Sequence, residues 1–130
     1  MIGSKEKARN LLFILLGISV LLLKQIYIGP GQEIVNSYSG NLSISFAVYF
    51  LICFSSDHWK QNKFITAIIS LMIVELFEIT NGFGIMTNTY DAIDLFVNLI
   101  GVILALAVDQ LLTKNNSKEA KKIYEERQQQ

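Results

Sequence analysis

The chain has 130 residues, with eleven basic and eleven acidic side chains and a formal net charge of zero. That length allows one domain. The missing basic excess argues against nucleic acid as a partner, and a single Cys excludes an internal disulfide or a Cys-rich zinc cluster. The apolar share of 52% is near a soluble average, so the placement of the charges has to decide the class.

The first predicted helix covers about residues 10–28. Its apolar block, Leu11 to Leu23, is followed by Lys24 and then Ile26, Tyr27 and Ile28. It reaches spanning length if Lys24 snorkels to an interface. Lys5, Lys7 and Arg9 before it give the start of a signal peptide, but no small-residue cleavage pattern follows, so the helix is read as retained. Gly29-Pro30-Gly31 then ends it.

The second helix is predicted over about 42–56, with Ser37, Ser39, Gly40 and Asn41 as its start. No charge falls between Glu33 and Asp57, and Leu42 to Phe54 is dense in large apolar residues. Phe46, Tyr49 and Phe50 share one face, which suits packing or lipid contact. Cys53 reads as a small packing residue. The following loop pairs Trp59 with Lys60, an interfacial combination, and His58 reads as a solvated loop histidine.

The third helix, about 64–80, is apolar except for Thr66, Ser70, Glu75, Glu78 and Thr80, and Asn81-Gly82-Phe83-Gly84 stops it. The fourth, about 92–112, has Asp94 and Asp109 near its ends. Residues 114–130 form a polar tail that suits a short helix or a disordered segment.

A soluble helix needs a polar stripe opposite its core face. Leu95 to Val108 offers only Asn98, so this segment needs lipid or a large protein interior, which 130 residues cannot supply four times over. The expectation is an all-α, polytopic membrane protein. A four-helix transmembrane domain spans residues 1–113, a polar tail spans 114–130, and the bilayer is the principal partner. Ten of the eleven basic residues fall on one side of such a bundle, with Lys24 as the exception. The positive-inside rule therefore makes both termini cytoplasmic. The connections around 25–41 and 80–92 then face outward.

Ionisable residues inside a span are costly and invite a functional reading. Glu75 and Glu78, three apart, share a face of the third helix. Asp91, Asp94, Asn98 and Gly101 fall within roughly one quadrant of the fourth. Ala105 and Asp109 continue that stripe. Gly101 and Ala105 form a small-xxx-small pair that admits a neighbouring helix. Glu75, Glu78, Asp91 and Asp94 converge at the outer half of the membrane if the two helices pack face to face. Asp109, near Lys114, reads as an interfacial residue.

This constellation resembles the VanZ-like family of small bacterial membrane proteins. Glu75, Tyr90, Asp91, Asp94, Asn98 and Gly101 match that family's Glu, aromatic, two Asp, Asn and Gly. Its Gln falls on Glu78 and its Arg on Asn88. The match covers about residues 75–101. The resemblance implies a multi-pass protein of the bacterial cytoplasmic membrane with a role at the cell envelope. The family is named after a protein linked to low-level resistance to the glycopeptide teicoplanin. The resemblance names no reaction.

The departures from the family matter electrostatically. Four carboxylates with no Arg nearby would repel one another in a low-dielectric site, so protons or a cation must lie among them. Lys24 is the candidate counter-ion on the outer side. A divalent cation is the other candidate, since carboxylate oxygens suit calcium or magnesium. The expected function is therefore a non-enzymatic envelope protein whose acidic site binds a polar or cationic group, such as that of an envelope lipid or cell-wall precursor. Glu75 and Asp94 would be central, Asp91 at the rim, Asn98 orienting and Glu78 coupled. The alternatives are a small oligomeric proton-coupled transporter and a metal-dependent membrane enzyme. No activated nucleophile supports catalysis.

Overall fold

The computed structural model describes residues 3–55, 62–82, 84 and 91–130. They form four α-helices: α1 (Ser4–Leu23), α2 (Gln32–Ser55), α3 (Lys63–Ile79) and α4 (Ala92–Gln128). Two of them, α2 and α4, are long and apolar enough to cross a membrane. His58, Trp59, Lys60, Asn88 and Tyr90 lie outside the described residues.

Three helix limits differ from expectation, each for a local reason. α1 begins at Ser4 and ends at Leu23, not near 28. The backbone turns at Ile26 and Tyr27, and Gly31 takes a φ of +75° to redirect the chain. α2 begins at Gln32, ten residues before the apolar-dense segment. Its early Ser residues are tolerated because Ser39 and Ser43 hydrogen-bond to backbone carbonyls of their own helix. α4 does not stop at 112 but continues to Gln128, so the polar tail is helical. No Gly or Pro follows Gly101 to break it, and Lys121–Glu125 and Lys122–Glu126 pair one turn apart.

The ends of α3 and α4 match their caps. Asn62 accepts from the Phe64 amide at the start of α3. At its other end Asn81 and Gly82 both have positive φ, and the Gly82 amide donates back to the Phe77 carbonyl at 2.7 Å. Asp91 accepts from the Ile93 amide at 3.1 Å to cap α4.

α2 is the centre of the bundle. α1 packs against it on one side, and α3 and α4 pack against it and each other on the other. Two small-residue seams make this possible. A Cβ on Gly17 would lie 2.8 Å from both Ala47 Cβ and the Ser43 carbonyl oxygen. A Cβ on Gly101 would overlap Ser45 Oγ and sit 2.7 Å from the Leu42 carbonyl oxygen. Phe13 of α1 stacks on Phe50 of α2 at 4.7 Å between centroids, with Phe46 beside both. The buried core is thin: Ile14, Tyr49, Phe50, Ala67, Val74, Val102 and Ala105.

The outside is correspondingly apolar. Leu12, Met72, Phe96 and Leu111 are each more than 60% exposed, one on each of α1 and α3 and two on α4. Large apolar side chains exposed in such number suit contact with a membrane or another protein.

Candidate functional site

Two polar clusters lie at opposite ends of the bundle. The first is where α3 and α4 approach their connection. Antiparallel packing brings the Glu78 and Asp94 carboxyls within hydrogen-bonding reach across the two helices, and Glu75 lies close to Glu78 on α3. A proton or a cation must sit between Glu78 and Asp94 when they meet. Glu75 Oε2 is shut off from water and has no hydrogen-bond partner among the described residues. An orphaned carboxylate oxygen is unfavourable by about 1–3 kcal/mol.

The other expected members of the site are placed differently. Asp91 is exposed, and its carboxylate is used as the α4 cap. Lys24 is held by α2: its Nζ donates to the Asn36 carbonyl at 3.1 Å, and the bare face of Gly40 makes room for it. Its expected place as counter-ion to the acids is therefore taken by a backbone oxygen of α2. Among the described residues α1 makes no close backbone approach to α3 or α4 and meets α4 through the Arg9 side chain at the opposite end, so Lys24 stands beside α2. Asn98 is buried at 3% exposure on the α4 stripe that continues through Gly101 and Ala105. That stripe faces α2, so the small pair admits α2 through Ser45.

Next to the acids, the outer face of α3 carries an open apolar groove of about 490 Å³, lined by Ile69, Met72, Ile73, Glu75, Leu76 and Ile79. Glu75 is its one charged wall. Among the described residues no three His, Cys, Asp or Glu side chains are grouped closely enough to hold a metal ion.

The second cluster was read from sequence as a single interfacial aspartate. In the structure Asp109 is 3% exposed and joins all four helices. Its Oδ1 takes Arg9 Nη2 of α1 at 2.8 Å and Lys63 Nζ of α3 at 3.2 Å, and its Oδ2 accepts from the Tyr49 hydroxyl of α2 at 2.8 Å. Arg9 also donates to Asn10, and Lys63 donates to the Asp109 backbone carbonyl and to Thr113. Cys53 lies within reach of the Tyr49 hydroxyl. A buried carboxylate with two hydrogen-bond donors and a second cation in ion-pair contact satisfies the condition for keeping a charge in a low-dielectric interior. The available signal was that Asp109 continues the buried stripe of Asn98, Gly101 and Ala105. Its partners are scattered over three other helices and carry no local pattern.

No family model, curated protein or solved structure matches the chain.

Proposed function

We propose that the chain is a four-span membrane protein of the bacterial cell envelope, similar to the VanZ-like family, whose Glu75, Glu78 and Asp94 bind a polar or cationic group at the outer leaflet. The observation that carries the site is the meeting of Glu78 and Asp94 across α3 and α4, with Glu75 alongside and Lys24 engaged elsewhere. Carboxyls drawn from two helices, with no basic side chain among them in the described residues, favour a positively charged or strongly donating group.

The four-span reading is supported by length and surface. α1 has 20 residues and α3 has 17, and at 1.5 Å per residue these reach roughly 30 and 26 Å. Both expose large apolar side chains on the sides that α2 does not cover. The positive-inside rule puts the Asp109 end in the cytoplasm, with Lys5, Lys7, Arg9, Lys63 and Lys114 around it. The acids then face outward. The Asp109 cluster serves this architecture as a structural tie, with Arg9 and Lys63 neutralising its deeply buried carboxylate.

The test is a deletion strain challenged with envelope-active antibiotics and osmotic stress, then complemented with variants. Glu75→Gln together with Asp94→Asn is expected to fail to complement while membrane levels stay normal. Full complementation by that double variant would overturn the site.

A further inference from the structure

We draw no further inference here: the strongest candidate, the apolar groove on the outer face of α3 beside the Glu75, Glu78 and Asp94 carboxyls, belongs to the site already described, and nothing in the structure shows what covers its apolar walls.

Discussion

The hydroxyl of Tyr49 donates to Asp109 Oδ2 at 2.8 Å across 60 positions of sequence. With Arg9 and Lys63 on the other oxygen, Asp109 has partners on all three other helices. Asp109→Ala leaves two partly buried cations without their counter-charge. Removing one member of a buried pair costs about 3–5 kcal/mol. The variant is expected to lower the thermal midpoint sharply in detergent. Tyr49→Phe removes one hydrogen bond to a charged acceptor that keeps the Arg9 bond and the Lys63 ion pair, so its loss is expected at the lower end of about 1.5–3 kcal/mol. Equal stability of Asp109→Ala and wild type would contradict the tie.

The packing of α4 on α2 gives a second expectation. A methyl group at Gly101 overlaps Ser45 Oγ and crowds the Leu42 carbonyl. Gly101→Ala should cost about 1–3 kcal/mol as overpacking. Ser45→Gly in the same chain should restore part of that, because the side-chain overlap is removed and the backbone contact stays. Thermal unfolding of the single and double variants measures the coupling. Strict additivity would show that the two residues do not meet.

These two results mark what could be read from sequence. The Glu75/Glu78 and Asp94/Asn98/Gly101 patterns were legible because each lies on one helix, where spacing fixes the face. Asp109 was visible as a member of the same stripe, but its meaning was not. Arg9 looked like a positive flank, Lys63 like a loop charge and Tyr49 like an aromatic packing residue. Only tertiary packing brings them together. The helix limits at Gln32 and Gln128 were missed for a different reason. Apolarity reports where lipid contact ends, whereas a helix ends where the backbone meets a turn such as Gly29-Pro30-Gly31. The long exposed extension of α4 has helix formers and no such turn.

Asp91 separates capping from binding. Its carboxylate accepts from the Ile93 amide. Asp91→Ala should cost about 1 kcal/mol through loss of the cap. Asp91→Ser, which keeps a capping oxygen without the charge, should restore stability. If Asp91 is only a cap, Asp91→Ser also complements the deletion strain fully. Failure of Asp91→Ser to complement despite normal stability would return Asp91 to the ligand set.

The extension of α4 gives a fourth expectation. Every residue from Lys114 to Gln128 is exposed, and Lys121–Glu125 and Lys122–Glu126 join neighbours on the same helix. A stop codon after Lys114 should therefore reduce the helical circular dichroism signal without lowering the thermal midpoint of the remaining bundle. The pairs Lys121–Glu125 and Lys122–Glu126 are solvent-exposed and screened, so their loss adds little. A clear drop in the midpoint would mean that the extension folds back on the bundle or on a second copy.

The four-span topology is open to direct test through single cysteines. Cys53 is first replaced by Ala to give a silent background. Cysteines are then placed at Ser4, Gln32, Thr80 and Gln129, at the two ends of the bundle. The positive-inside rule puts Ser4 and Gln129 on the cytoplasmic side, and two hairpins put Gln32 and Thr80 outside. A membrane-impermeant maleimide applied to intact cells should label the cysteines at 32 and 80 and spare those at 4 and 129. Lysed cells should label all four. Labelling at 32 without labelling at 80 would mean that α3 and α4 do not form a spanning hairpin. Glu75, Glu78 and Asp94 would then not face the outer leaflet, and the envelope reading of their site would fall with that topology.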